Sequence, residues 1–362
     1  MGLFRSTPRV RTGQGSTKLT KSEFEQRWNA RFYDPAFDTT RSEIKRLCEI
    51  AWEAYEDSRK SPRSRKAGSE FADAEHELAI EWIETRDRIR EAQDRQRAAD
   101  SRSQILLICA SPRTDETCPG EMSKTFRLAQ LARETIDAAK DFDVDFLDLS
   151  NLTAEYGRVI YPCKACVSTA MPLCHWPCSC YPNHAMGQVN DWMNELYPRW
   201  VAAHGIIIVA PVHWYQAPST LKLMMDRLVC ADGGNPDPTT THGKNPEEAK
   251  AIELKGWNYP RHLAGRMFSI VVHGDAEGAE SVRQSLHDWL CDMELIPAGA
   301  SATIDRYIGY YEPYATSHDA LDKDEAIKEE TRNATRILMQ AVEDMRRGKI
   351  RSGPDIKDPR PK

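Results

Sequence analysis

Gly205-Ile-Ile-Ile-Val-Ala-Pro-Val-His-Trp-Tyr-Gln-Ala-Pro-Ser-Thr-Leu-Lys-Leu-Met-Met-Asp-Arg227 is the stretch from which the fold can be read. The apolar run 206–210 is too short for a core helix and stops at Pro211. An aromatic loop follows (His213, Trp214, Tyr215), and Pro218-Ser219-Thr220 then opens a helix over 218–229. A continuous apolar run without alternation is how a parallel strand looks when both its faces are buried. In open α/β sheets ligands bind beyond the carboxyl ends of such strands. The aromatic residues there suit a flat ring.

The same pattern occurs a hundred residues earlier. Gln104-Ile-Leu-Leu-Ile-Cys-Ala110 is a second buried-strand run, ending in Ser111-Pro112-Arg113. A helix over 123–139 follows, with Leu128, Leu131, Ala132 and Ile136 at helical spacing. Hydroxyls, an arginine and the free N–H groups of a helix start together make a phosphate site. Neither a Walker lysine motif nor G-x-G-x-x-G is present, which argues against nucleoside triphosphates and fingerprint dinucleotide sites.

On these motifs the sequence resembles the flavodoxin-like NAD(P)H-dependent FMN reductases. The residues that carry the likeness are Ser111-Pro112-Arg113 with Gly120-Glu121-Met122-Ser123-Lys124, and Pro211-Val212-His213-Trp214-Tyr215 with Leu221-Lys222 and Asp226-Arg227. His273-Gly274-Asp275, after the strand 267–272, is the third motif. The resemblance covers roughly 104–305. It implies that Ser111, Arg113 and Ser123, with the backbone N–H of Met122, hold the FMN phosphate. It also implies that Pro211, Val212, His213, Trp214 and Tyr215 lie along the isoalloxazine ring, and that His273, Gly274 and Asp275 close its other edge. Two departures stand out. Many relatives carry Asn-Thr where this chain has Glu121-Met122, and a carboxylate beside a phosphate should turn outward. His213 stands where a tyrosine is usual, and as an imidazole it is a candidate catalytic group.

Composition is ordinary for a soluble globular protein: 40% hydrophobic, 29% charged, 362 residues, net charge −6. An acidic balance argues against nucleic-acid binding, and no apolar run approaches the length of a membrane span. Met1–Ser6 lacks the apolar core of a signal peptide, although Gly2 and Ser6 match the short myristoylation pattern. A cytoplasmic location is expected.

Half of the ten cysteines crowd one loop: Cys163, Cys166, Cys174, Cys178 and Cys180. Four thiolates could bind zinc or a [4Fe–4S] cluster, and iron–sulfur flavoproteins of the resembled fold carry a cysteine cluster in this loop. Their spacing is tighter, and Pro172, Pro177 and Pro182 stiffen this one differently. Unligated thiols are the favoured reading, with zinc or iron–sulfur as the alternatives.

The remaining periodicities predict a five-stranded parallel, doubly wound sheet in the flavodoxin-like order 2-1-3-4-5. Its strands are 104–109, 144–148, 206–210, 266–272 and 295–304. Helices are expected at 184–203 (kinked by Pro198), 278–292 and 321–347, the last closed by Gly348. Before the sheet, residues 1–20 are predicted to be a disordered tail and 21–100 a helical extension. That extension has a capping box at Thr40–Glu43, a stripe Ile44, Leu47, Cys48, Ala51, Trp52, Tyr55, a basic hinge 59–66 and a second helix 74–99. The two helices cannot bury their faces on each other alone, so an assembly arm is expected, with a homodimer or homotetramer. The FMN-binding domain is placed at 104–320, with the cysteine loop at 161–182, a Gly/Pro-rich insertion at 231–262 and a terminal helix at 321–348. Asp226-Arg227 reads as a structural ion pair, and Arg261, His262 and Arg266 as groups that could meet a 2′-phosphate.

The leading expectation is an NAD(P)H-dependent FMN oxidoreductase that passes electrons to a small-molecule acceptor, with no nucleic-acid or membrane partner. The alternatives are an FMN electron-transfer protein acting with a protein partner, with or without an iron–sulfur centre, and a flavin-free interaction module of the same fold.

Overall fold

The computed structural model describes residues 8–58, 61, 63–118, 120–181 and 191–350. Along the chain come α1 (Lys21–Asn29), α2 (Arg41–Glu56), a hairpin of β1 (Ser64–Lys66) and β2 (Glu77–Ala79), and α3 (Ile80–Arg97). The sheet region follows: β3 (Ser103–Cys109), α4 (Lys124–Asp137), β4 (Phe142–Asp148), α5 (Asn151–Ala154), α6 (Met193–Ala202), β5 (Gly205–Pro211) and α7 (Ser219–Arg227). Next are α8 (Pro246–Lys255), β6 (Met267–Gly274), α9 (Ala279–Asp292), β7 (Ile296–Pro297), β8 (Thr303–Tyr307), α10 (Ser317–Lys323) and α11 (Glu325–Arg346). The chain divides into two compact units. One comprises 1–84, 164–191 and 235–258, the other 85–163, 192–234 and 259–362.

The second unit holds the parallel sheet, in the order β4-β3-β5-β6-β7, with β8 also paired to β6. In chain order this is the expected 2-1-3-4-5 arrangement. Ile105 to Ile108 in β3 and Ile206 to Ala210 in β5 are wholly buried, as two-sided burial of a central strand requires. Gly205 opens β5 where a Cβ would lie 2.7 Å from Val342 and 2.8 Å from Ile105, so only glycine lets α11 pack against the strand. The fifth strand is not one run: β7 and β8 are separate segments, joined by a 3-10 turn at Ala300–Ala302. Pro297 and Gly299 lie at that break, where proline gives no ladder N–H and glycine no side chain to pack. Pro198 stays inside a continuous α6; the expected start of that helix, 184–190, lies outside the described residues, as do Gly2 and Ser6.

In the first unit several expectations change. The capping box lies at Thr20, whose side chain accepts from Glu23 N–H while Glu23 accepts from Thr20 N–H, opening a helix that periodicity missed. Thr40 makes no side-chain cap: its hydroxyl donates to Phe37 C=O (3.0 Å), and the Glu43 carboxylate accepts from Ser42. The stripe on α2 finds its partner in α1: Trp28, Ile44, Cys48 and Ala51 form one buried cluster with Phe24 and Phe32 against it. Leu47, though part of the stripe, remains half exposed. The basic hinge contains β1, paired antiparallel to β2, so the second helix begins at Ile80 and not near 74.

The glycine- and proline-rich insertion is also structured. It forms a 3-10 turn at Pro238–Thr241 and α8 after it. Asn235 stitches it to the cysteine loop: its N–H donates to Cys174 C=O (2.6 Å) and its amide to Pro172 C=O (3.0 Å), and Trp176 N–H donates to its carbonyl (2.9 Å). The buried His175 is held between Ser179 (2.6 Å) and Thr241 (2.9 Å).

Candidate active site

Three of the central strands end beside one cavity of about 620 Å³ in the second unit. The β3–α4 loop contributes Ser111, Pro112, Arg113, Glu121, Ser123, Lys124 and Thr125. Ser123 caps α4, accepting from Phe126 N–H at 3.1 Å, and so aims the first free N–H groups of that helix at the cavity edge. Lys124 is buried apart from 8% of its surface, and its ammonium reaches Asp275 across the cavity at 3.4 Å. Arg113 makes no ion pair among the described residues. Glu121, expected to turn outward, lines the cavity, with its carboxylate directed to His318 Nε2 at 3.5 Å. His318 Nδ1 in turn lies 3.2 Å from Arg127. Burial, together with the charges of Arg127, Lys124 and Arg113, keeps the His318 pKa below the usual imidazole value despite Glu121.

The β5 loop supplies Pro211, Val212 and His213 to the same cavity. His213 and Gln216 exchange both backbone hydrogen bonds (2.9 and 3.0 Å), with Trp214 at φ 48° and Tyr215 at φ 64°. Two positive-φ centres between such a pair make a type I′ turn, which residues other than glycine, asparagine and aspartate occupy at a cost. The turn is accommodated by Gly278, at φ 111°, where a Cβ would sit 2.9 Å from Tyr215 Cα. It turns the two rings outward: Trp214 is 94% exposed and Tyr215 58%, and neither lines the cavity. Met122 is likewise exposed and absent from the lining. Burial first, and then the charge of Arg113, lower the pKa of His213.

His273, Gly274 and Asp275 line the third side, at the end of β6. His273 Nε2 and Thr125 Oγ1 share a 2.8 Å hydrogen bond, while the buried Nδ1 has no partner. Burial, then Lys124 and His213, drive its pKa down to about 3, so the ring is neutral. Tyr314, Ala315 and Ser317 complete the lining from the chain after β8. Sequence reading missed these three because no motif marks them. It also missed Lys124 and Thr125 as lining groups, although both follow directly on the Ser123 motif.

Other expected groups lie elsewhere. Asp226 pairs with Lys222, whereas the buried Arg227 donates to the carbonyl of Tyr161 (2.9 Å); the two do not pair with each other. Arg261 is bound to Asp232 (2.9 Å), and Arg266 donates to Val201 C=O (2.9 Å) at the entry to β6; neither lines the strand-end cavity.

In the first unit, Cys166 Sγ and Cys180 Sγ lie 3.4 Å apart. Lys244 Nζ is 3.3 Å from Cys180 Sγ and 3.6 Å from Cys166 Sγ, and it also donates to Leu173 C=O at 2.9 Å. The hydrogen bond with Cys180, aided by the Lys244 charge, lowers the Cys166 thiol to about 6. Burial opposes the charge on Lys244, but the sulfurs of Cys180, Cys166 and Cys178 outweigh it and hold its pKa up. Among the described residues no group of three or more His, Cys, Asp or Glu side chains is placed to hold a metal ion, and no helix is long and apolar enough to cross a membrane.

A family model described as NADPH-dependent FMN reductase matches residues 103–307. An iron–sulfur flavoprotein of Methanosarcina thermophila is 29% identical over 196 residues, 54% of this chain and 76% of that protein. Among solved structures, an NAD(P)H:quinone oxidoreductase from Methanothermobacter marburgensis is 14% identical over 68% of this chain and 98% of that one, with a TM-score of 0.36. An FMN-dependent NADH-azoreductase from Bacillus anthracis is 15% identical over 65% and 99%, with a TM-score of 0.34.

Proposed function

Since the chain belongs to the NADPH-dependent FMN reductase family, we propose that it binds FMN in the strand-end cavity and passes electrons from NAD(P)H to a small-molecule acceptor. The carrying observation is the cavity itself. It falls in the size range of cofactor sites, and it sets Arg113, Lys124 and the N-terminus of α4 along one wall. That wall has the charge and donors a phosphate needs. The unpartnered His273 Nδ1 is a polar atom left for a bound molecule to satisfy. The residues present therefore fit FMN.

When bound, FMN supplies two-electron chemistry: hydride accepted from NAD(P)H and electrons delivered onward. The protein's own work is binding and exclusion. Ser111, Arg113, Ser123 and Lys124 would hold the phosphate, and Pro211 to His213 would flank the ring. A phosphate that takes the Lys124 ammonium would compete with Asp275 for it, coupling cofactor binding to the third loop. His273, neutral through the physiological range, would offer the ligand a hydrogen bond without adding charge. Trp214 and Tyr215, turned outward, would meet the second substrate or a neighbouring subunit more readily than the ring.

The cysteine loop does not fit a metal at Cys166 and Cys180 as arranged, because the Lys244 ammonium occupies the position facing both sulfurs and would repel a cation there. No step is assigned to such a centre.

Anaerobic titration tests the reading. Purified chain reconstituted with FMN should lose its flavin absorbance rapidly on adding one equivalent of NADPH or NADH. Flavin that binds but bleaches only with dithionite would favour an electron carrier, and failure to bind flavin would remove the assignment.

A further inference from the structure

We propose that Cys166 and Cys180 form a dithiol centre that exchanges two electrons with low-molecular-weight disulfides, Cys166 attacking and Cys180 resolving, with Lys244 as the positioning residue for both sulfurs. The sulfurs are already 3.4 Å apart, so closing a disulfide of about 2 Å requires a side-chain adjustment of little more than 1 Å. Their exposure differs in the sense the roles require. Cys166 is partly exposed, open to an incoming disulfide, whereas Cys180 is buried behind it. Lys244 touches both, anchored by Leu173 C=O, so its charge is available to whichever sulfur carries the negative charge. The thiolate is the form that attacks, and a neighbouring ammonium favours it. Ala165, immediately before Cys166, is held at φ 50°, a left-handed conformation that a non-glycine residue adopts only where the surroundings impose it. The Asn235 and His175 bonds between the cysteine loop and the segment carrying Lys244 keep the three groups in register.

The exchange balances. The Cys166 thiolate attacks one sulfur of a disulfide RSSR. That S–S bond breaks, the first RS⁻ leaves and takes up a proton, and Cys166 is left as a mixed disulfide. The Cys180 thiolate then attacks Cys166 Sγ and expels the second RS⁻, which is also protonated. Two protein thiols are oxidised to one disulfide, and RSSR is reduced to two RSH, the two protons coming from the two cysteines.

The test uses the full chain and oxidised glutathione. Reduced protein equilibrated with it, quenched by alkylation and mapped by mass spectrometry, should give one internal Cys166–Cys180 linkage and no stable glutathione adduct at either position. Cys180→Ser should trap glutathione on Cys166, whereas Cys166→Ser should leave Cys180 unmodified. In Lys244→Met, iodoacetamide should modify Cys166 about tenfold more slowly at neutral pH, with the exposed Cys118 unchanged as an internal standard. Should a variant misfold by circular dichroism, the wild-type map decides alone. A different cysteine pair, a stable adduct on wild-type Cys166, or stoichiometric iron or zinc released when these two thiols are oxidised would overturn the proposal.

Discussion

Arg113 and Gly278 show how two single residues bear on the cavity in opposite ways, one through charge and one through the absence of a side chain. Arg113→Ala removes a guanidinium that lines the cavity without an ion-pair partner among the described residues, so the fold should tolerate it. One charge-assisted hydrogen bond contributes roughly 1.5–3 kcal/mol, so FMN affinity should fall about ten- to a hundredfold while the melting temperature of the apoprotein stays put. Unchanged affinity in a titration of apoprotein would remove Arg113 from the phosphate wall. Gly278→Ala acts through sterics. Its Cβ would lie 2.9 Å from Tyr215 Cα, at a φ that L-residues avoid. A cost of about 1–3 kcal/mol is expected, visible as a drop of several degrees in melting temperature for a domain of this size. Because the turn it supports carries His213 into the cavity, flavin binding should weaken too. A variant as stable as the parent would show that the 213–216 turn gives way freely. Ser111, Arg113, Pro211 and His213 could be found in the sequence because each lies at or just after the end of an unmistakable buried strand, and Ser123 because it opens the helix that follows. The outward placement of Trp214 and Tyr215 could not, since it depends on positive φ values that no local pattern of large aromatic residues announces.

The helices of the first unit teach a different lesson. A stripe such as Ile44, Cys48, Ala51 says that a partner exists without saying which one, and here α1 supplies it through Trp28 and Phe24. Sequence periodicity missed α1 because its nine residues are mostly polar, and only the Thr20–Glu23 capping box marks its start. Leu47, a member of the stripe, and Ile50 are left about half exposed on α2, outside the cluster buried against α1. If a second copy of the chain covers this remaining apolar surface, charged substitutions there disrupt the assembly. Leu47→Glu combined with Ile50→Lys should then lower the mass measured by light scattering while leaving the helical circular-dichroism signal and FMN binding intact. An unchanged mass would assign the exposed pair to chance. The insertion after α7 reads in sequence as loop from its glycines and prolines, yet Pro238 and Pro246 each sit in the first turn of a helix, where proline is tolerated.

Across the second unit, His204, His262 and His273 set the expected response to acid. Burial is the first cause in each case: His204 and His262 are held down to about 4, and His273 to about 3. All three lie below the value near 6.5 of an unfolded histidine. Between pH 6.5 and 4 the unfolded chain therefore binds more protons than the folded one, and stability falls as pH falls. Their contribution is fully present above pH 6.5 and is lost progressively toward pH 3, by up to about 1.4 kcal/mol per pH unit for each group. Urea midpoints measured from pH 7.5 to 4.5 should decline steeply below pH 6.5, and His204→Gln should flatten the decline. A midpoint constant across that range would show that these rings are solvated. The central buried strands were legible in the sequence alone, because two-sided burial forces continuous apolar runs and such runs identify themselves locally; the sheet order and the family followed from the resemblance carried by the three loop motifs. What only the tertiary structure decided are relations between distant segments: Lys124 facing Asp275, His273 bonded to Thr125, and Lys244 seated on Cys166 and Cys180. Each joins side chains dozens to more than a hundred residues apart, and it is the packing of the whole chain, rather than any local periodicity, that brings such charges and sulfurs within reach.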